Sequence, residues 1–510
     1  MRDDTLRGLE KGTRRPAAGP DTAQRGKPRS MKLDLETGAE APPSKCRRAV
    51  VSGFEHRGFW LAFLALAVVW ICAGTPALAE ARFPPPEFES GHVLPLTATP
   101  SPRSLAMQYV DVVALLVALG LACYLVHRRR SRRGIIALSL FSLIYFGFYR
   151  KGCICAIGAV QNVALALCDA SYALPMTVLV FFFAPLVVAL LAGRTFCAAV
   201  CPHGALQDLV LVKSVKVPAW LDHGLSVVPF LFLGAGLAFA ATGSAFVICR
   251  YDPFVPLFRL TGSATLLTLG GIFVLASLFI GRPYCRFLCP YGGLLRLAAL
   301  ASKWRVRITP DFCTQCRLCE EACPYGAIRE PALTPTAPEA LAPARRRLGR
   351  LLLLLPIALV VGGWVGSKLS IPFSKVHPTV ALAERYADPN KPTVMPSPAT
   401  PDSLALGRAE RDAPRLVAAA VDIRRRFVLS GWLFGGWTAL VVFAKLIGLS
   451  MRPNRTDFEP DRGACVACAR CFLACPNERV RLGLLPASAI PSRPEPGLGT
   501  GPTAAGTKRD

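Results

Sequence analysis

Eight apolar runs constrain this chain more than any other feature. They lie at about 59–79, 109–126, 135–149, 175–192, 225–248, 264–280, 348–365 and 427–449. Most approach the roughly 20 residues that an α-helix needs to cross a bilayer. Charged residues are only 18% of the chain, against about 25% in an ordinary soluble domain. The run at 135–149 is short, and the semi-polar stretch 156–167 behind it reads as a half-span or a re-entrant piece. The expected fold is an all-α polytopic membrane protein of about seven to eight transmembrane helices.

The formal net charge is +26. Its carriers flank the apolar runs instead of gathering in one soluble domain, which argues for cytoplasmic membrane loops and against nucleic acid. Arg128–Arg130 with Arg132 and Arg133, Lys213 with Lys216, and the series Arg296, Lys303, Arg305, Arg307 and Arg345–Arg347 set their loops on the inner side. Arg424–Arg426, ahead of the last run, fall on the outer side; long loops follow the rule weakly.

The segments divide as follows. Residues 1–57 are polar and basic and read as a disordered tail. Segment 58–80 is a signal-like stretch or a first transmembrane helix, ending Ala77-Leu78-Ala79 before Glu80, a small-residue cleavage pattern. A Pro-rich external linker at 81–108 leads into helices at 109–300. A ferredoxin-type module is expected at 301–335, a transmembrane hairpin with a long external loop at 348–450, and a second module at 452–485. A disordered tail follows at 486–510.

The 19 cysteines are bunched, which points to metal or cluster ligation. No Cys-x-x-Cys-His is present, which disfavours c-type haem. Two runs have the form C-x2-C-x2-C-x3-C-P: Cys313, Cys316, Cys319 and Cys323, and Cys465, Cys468, Cys471 and Cys475. This is the bacterial ferredoxin spacing. Three thiolates two residues apart wrap a tight loop around one face of a cubane, and the fourth, before a proline, leaves in another direction. Structural zinc is the competing reading, but zinc sites pair two C-x2-C knuckles across a longer gap. Two [4Fe-4S] clusters are expected in a split ferredoxin-like 2[4Fe-4S] cytoplasmic module. In two-cluster ferredoxins the fourth cysteine ligates the other cluster. The preferred pairing is therefore crossed: Cys313, Cys316, Cys319 with Cys475, and Cys465, Cys468, Cys471 with Cys323. Two independent clusters are the alternative.

A second pattern is duplicated. Gly193-Arg194-Thr195-Phe196-Cys197 and Gly281-Arg282-Pro283-Tyr284-Cys285 each close an apolar run, and each continues as Cys-x3-Cys-Pro. Spacing of i, i+4 puts Cys197 with Cys201, and Cys285 with Cys289, on one helical face. Four such thiols suit a third cluster, a metal site or a thiol site; buried packing is the plain reading. Static disulfides are disfavoured in a reducing cytoplasm. Cys153 and Cys155 are read as an external redox pair or as packing. Cys46, Cys72, Cys123, Cys168 and Cys249 are single and read as packing. Thr261-Gly262-Ser263-Ala264-Thr265 departs from the pattern of covalent flavin attachment and reads as small-residue packing.

Paired Cys-x3-Cys-Pro at span ends, followed by ferredoxin runs and with Gln161-Asn162 after the third apolar run, resembles the NosR/NapH-type membrane polyferredoxins. The resemblance covers roughly 130–480. It implies membrane electron transfer, with the eight ferredoxin cysteines and Cys197, Cys201, Cys285 and Cys289 carried over one by one. NosR-type proteins place a large periplasmic flavin domain ahead of the membrane part, where about 30 residues stand here, so flavin is expected only through a partner. The copper-handling oxidase-assembly relatives carry a soluble C-terminal β-sandwich, where about 35 residues follow Cys475. Three classes of function remain: an electron-transfer subunit in the inner membrane, working with a flavin-bearing protein or a quinol-linked donor; a maturation factor that reduces or inserts a metal; and a membrane redox sensor. No acid–base pair, nucleophile or phosphate loop suggests a stand-alone enzyme.

Overall fold

In a computed structural model, the described apolar runs become helices, and those at 109–126, 348–365 and 427–449 extend past the hydropathy signal at both ends. Residues 104–152, 156–308, 313–332, 338–387, 413–451, 454–486, 488 and 490 are described. All belong to one compact unit beginning at Phe83. The signal-like run 59–79 and the pair Cys153 and Cys155 lie outside the described residues. In chain order, α1 is Leu105–Arg129, and α2, Arg132–Ser142, continues through a wider π-type turn at Leu143–Tyr149. Helices α3 (Ala156–Cys168), α4 (Met176–Ala192), α5 (Pro202–Leu209), α6 (Ala219–Ala241), α7 (Ala264–Ser277) and α8 (Pro290–Leu300) follow. Helices α9 (Pro338–Ser374), α10 (Pro378–Ala387) and α11 (Ala413–Ser450) complete the helical frame.

Among the described residues, α1, α6, α9 (from Ala342) and α11 (from Pro414) are long and apolar enough to cross a membrane; α3, α4 and α7 are apolar but shorter. The apolar faces of α9 and α11 point outward, with Leu353, Val360, Leu429 and Leu433 all more than 60% exposed. Such a surface is a liability in water and ordinary in lipid. Where α1 turns a polar group inward it is paired, as lipid demands: Asp111 accepts from Tyr145 at 2.9 Å and meets Arg150 at 2.9 Å. Ser263 caps α7 by accepting from the Leu266 amide at 3.4 Å, a structural use for the Thr261–Thr265 stretch.

Helices α9 and α11 form a hairpin through two Gly-x3-Gly steps. A Cβ added at Gly362 would stand 2.7 Å from the Gly435 carbonyl, and one at Gly431 would stand 2.5 Å from that of Gly366. Only glycine lets two backbones approach so closely. The hairpin carries the second cysteine run back to the first. There, β1 (Ile328–Arg329) pairs antiparallel with β2 (Glu459–Pro460), extended by a bridge between Ala332 and Arg455. This ribbon and the short helices Leu318–Glu321 and Arg470–Ala474 join the two halves into one module.

Candidate metal centre

Each ferredoxin run is a loop of alternating backbone hand. Gln315 and Arg317 flank Cys316 at φ 56° and 62°, and Ala467 and Ala469 flank Cys468 at 56° and 65°. Left-handed residues set between right-handed ones turn successive amides to one side, making a nest for anionic sulfur. The Gln315 amide donates to Cys313 Sγ at 3.4 Å, and the Ala467 amide to Cys465 Sγ at 3.5 Å. The two loops repeat each other in detail although their side chains differ.

The fourth cysteines change sides. One cavity is lined by Cys313, Cys316, Cys319 and Cys475, with Ile308 and Phe458. A second is lined by Cys323, Cys465, Cys468 and Cys471, with Val306 and Tyr325. Burial pushes the Cys319 and Cys465 thiols up to about 12, helped by neighbouring cysteines. Four crowded thiols resist deprotonation until a cation compensates, and coordination to a metal deprotonates them outright. Among the described residues no three His, Cys, Asp or Glu side chains converge as the ligands of a single ion must. The eight thiols instead ring two cavities, and four cysteines with inward amides fit a [4Fe-4S] cubane in each.

The Cys-x3-Cys pairs do not lie on one continuous helix, as i, i+4 spacing suggests. Cys197 sits in a π-type turn, Phe196–Val200, and Cys201 is extended (φ −74°, ψ 119°) at the start of α5. Cys285 lies in the short helix Pro283–Phe287, and Cys289 is extended (φ −60°, ψ 113°) at the start of α8. The cause is the proline behind each second cysteine. Proline bars the preceding residue from the helical region, then opens the next helix well itself. Cys475 before Pro476 takes the same shape, φ −77° and ψ 120°.

The duplication is a structural exchange. A Cβ at Gly204 would meet Cys197 O at 3.1 Å and Arg282 at 3.3 Å; one at Gly292 would meet Cys285 O at 3.1 Å and Arg194 at 3.4 Å. Each motif thus receives the arginine of the other. Arg282 donates to the Cys197 and Ala198 carbonyls. Cys197, Cys201, Cys285 and Cys289 are all buried and influence one another electrostatically. Donors surround their sulfurs: Gly292 N to Cys289 at 3.2 Å, Gln207 Nε2 to Cys285 at 3.4 Å and Arg194 Nη2 to Cys197 at 3.7 Å. His203 lies 3.3 Å from Asp252. Burial alone would lower its pKa, but the Asp252 charge outweighs it and holds the imidazole up at about 10. The resulting cation favours a thiolate at Cys201, against the desolvation of that buried sulfur.

Two features escape sequence reading. The first is this His203–Asp252 pair. The second is Asp208, buried among Arg132 (2.7 Å), Arg470 (3.2 Å) and Arg282 (3.4 Å), and accepting from Tyr325 at 2.7 Å. Burial would raise its pKa, but the three guanidiniums hold it well below the usual carboxylate range. Arg132 also donates to the Cys468 carbonyl at 3.1 Å. Asp208 therefore ties the duplicated motifs to the ferredoxin module. Arg194 adds a bond to Gly463 O at 3.2 Å, so all four motifs gather at one end of the helices.

A family model described as a 4Fe-4S binding domain matches residues 174–218 and 263–309, which hold the duplicated motifs. A second, also described as a 4Fe-4S binding domain, matches 306–329, the first ferredoxin run. YccM of Escherichia coli K12, named for electron transport, is 32% identical over 170 residues, 30% of this chain and 46% of that protein. NirI of Paracoccus denitrificans is 35% identical, over 27% of this chain and 22% of that protein. The regulatory protein NosR of Pseudomonas aeruginosa is 27% identical, over 42% of this chain and 33% of that protein. The matches thus span less than half of each of these three relatives. No solved structure matches at a significant level.

Proposed function

We propose that this chain, whose 4Fe-4S binding-domain matches and similarity to NosR place it beside the membrane ferredoxin-type proteins, relays electrons between cytoplasmic and membrane or extracytoplasmic redox partners. The carrying observation is the pair of cysteine-lined cavities, each drawing three thiols from one run and the fourth from the other. On this reading Cys313, Cys316, Cys319 and Cys475 hold one [4Fe-4S] cluster, and Cys465, Cys468, Cys471 and Cys323 hold the other. When bound, each cluster supplies one-electron chemistry. The chain brings two such sites together, orders amides toward the sulfurs and excludes water from them. Cys197, Cys201, Cys285 and Cys289 form a third thiol site beneath the module, suited to a further cluster.

On this reading α3, α4 and α7 are crossings beside the four long helices, and the run at 59–79 is a further one, which makes seven to eight spans. The basic loop 128–133 meets the module, through Arg130 with Glu478 (2.7 Å) and Arg132 with Cys468. Lys216 meets Glu320 at 2.7 Å. Cation-rich loops are cytoplasmic loops, so the module belongs on the cytoplasmic side of the inner membrane. The partners on this reading are a flavin-bearing protein or a quinol-linked donor.

Anaerobic purification of the full chain, with iron and acid-labile sulfide analysis and low-temperature EPR, tests the reading. About eight iron atoms per chain are expected for two cubanes, and about twelve if the third site is filled. Stoichiometric zinc with little iron would refute it.

A further inference from the structure

Between α6, α8 and α11 runs a groove of about 850 Å³ that the electron-transfer reading leaves unused. Its apolar part is walled by Phe230, Leu297, Trp437, Leu440 and Val441. Trp437 Nε1 donates to the Phe230 carbonyl at 2.8 Å, which closes the inner end. Toward the ferredoxin module the lining turns basic, with Arg296, Arg329, Lys445 and Arg455. Asp461 is the carboxylate of this lining, and it is already engaged by Arg329 at 3.2 Å and by the Gly463 and Ala464 amides at 3.0 and 2.8 Å. Among the described residues no ion pair within 4 Å engages Arg296 or Lys445, and Asp222 and Asp461 act on both only from further off.

The order of these features along the helices matters. From Trp437 to Lys445 is roughly 12 Å of helix at about 1.5 Å per residue. Lys445 lies near the end of α11 and His223 near the start of α6. The apolar part of the groove is therefore at the middle of two candidate spans, and the basic part is at their module ends. A membrane phospholipid has this polarity. Half-buried cations whose carboxylates stand only at a distance are costly, and an anion in contact with them relieves that cost. A basic pocket between membrane helices suits an acidic headgroup better than a neutral one.

We propose that this groove holds an anionic phospholipid, with its phosphate at Arg296 and Lys445 and its acyl chains between α6 and α11. The lipid would join α11, which carries the second cysteine run, to α8 and to the strand residue Arg329 of the first half. The site is separate from the cysteine cavities, so its failure leaves the electron-transfer reading intact.

The test uses the full chain in mild detergent. Phosphorus analysis and native mass spectrometry of the extracted lipid should find about one anionic phospholipid per chain. Phosphatidylglycerol should raise thermal stability where phosphatidylcholine does not. R296Q with K445Q should weaken phosphatidylglycerol binding about thirtyfold, at roughly fivefold per basic residue near a headgroup. Iron content serves as the folding control. A second variant keeps the cations and fills the headgroup end: a Cβ at Gly448, one turn beyond Lys445 in the groove lining, meets nothing within 4 Å, so G448W should fold and still lose the lipid. Equal binding of neutral lipid, co-purification of a neutral isoprenoid in its place, or unchanged phosphatidylglycerol binding in both variants would overturn the proposal. So would full stabilisation by inorganic phosphate alone, since that would show an anion site that makes no use of the apolar groove.

Discussion

Replacing Asp208 by asparagine removes one charge from the junction between the duplicated motifs and the ferredoxin module. The shape and the acceptor for Tyr325 remain, but Arg132, Arg282 and Arg470 lose their common counter-ion, now held at 2.7, 3.4 and 3.2 Å. Stripping one partner from a buried charge network costs about 3–5 kcal/mol, a large share of a typical stability of about 5–15 kcal/mol. Loss of the negative charge also makes reduction of the nearer cluster easier. Asp208 acts electrostatically on Cys468, and a unit charge at a separation of order ~8 Å in an effective dielectric of about 20 is worth about 2 kcal/mol. That is roughly 90 mV upward for a one-electron couple. EPR-monitored redox titration should show the shift mainly in the cluster assigned to Cys465, Cys468, Cys471 and Cys323. Adding R470Q should return part of it by removing excess positive charge. The same group sets an acid limit. Its folded pKa lies below the unfolded value of about 3.9, so its stabilisation is complete at neutral pH and is lost as pH falls below about 4 toward the folded pKa. A folded D208N protein with unmoved potentials and unchanged acid stability would refute this account of the junction.

Other outcomes follow from the same geometry. Cys323→Ser should chiefly damage the cluster held by Cys465, Cys468 and Cys471, and Cys475→Ser the one held by Cys313, Cys316 and Cys319. EPR assigned by mutating one near cysteine of each run reads this, and damage confined to each variant's own run would mean independent clusters. Gly435→Leu should break the hairpin, where even a Cβ collides with the Gly362 carbonyl. Overpacking typically costs about 1–3 kcal/mol, and both runs should lose iron together while Gly349→Ala, with nothing within 4 Å of its Cβ, stays as wild type; equal iron in both variants would remove the hairpin from the assembly of the module.

The ferredoxin runs were legible because their spacing is itself the local structure: three thiols on a loop of alternating hand need only two residues between them. The apolar runs were legible for the same local reason, but their ends were not. Hydropathy marked 348–365, yet α9 runs from Pro338 to Ser374, since Arg345–Arg347, Arg350 and Lys368 are good helix formers outside lipid. The break at each Cys-x3-Cys-Pro is legible as well, because proline restricts the residue before it and helical periodicity does not carry across that boundary. Gly362-x3-Gly366 and Gly431-x3-Gly435 were visible as spacing, but nothing local says that they face each other. His203 with Asp252, and Asp208 with its three arginines, join residues tens to hundreds of positions apart, so no pattern in either segment announces them.

The separation of the two runs has a physical consequence for assembly. Cys323 and Cys465 are 142 positions apart, and closing a flexible loop of that length costs about 4–5 kcal/mol by the logarithmic rule. The hairpin reduces that cost, because α9 and α11 lock through their glycines and deliver β2 opposite β1. With crossed ligation, neither cysteine set is complete until this delivery has happened. Cluster assembly then reports membrane folding: a chain with a broken hairpin lacks the fourth thiol for both clusters at once. Two independent modules would fail one at a time. Iron content measured across a series of progressively weaker hairpin variants separates these cases, since crossed ligation predicts joint loss of both EPR signals and independent ligation predicts survival of the first.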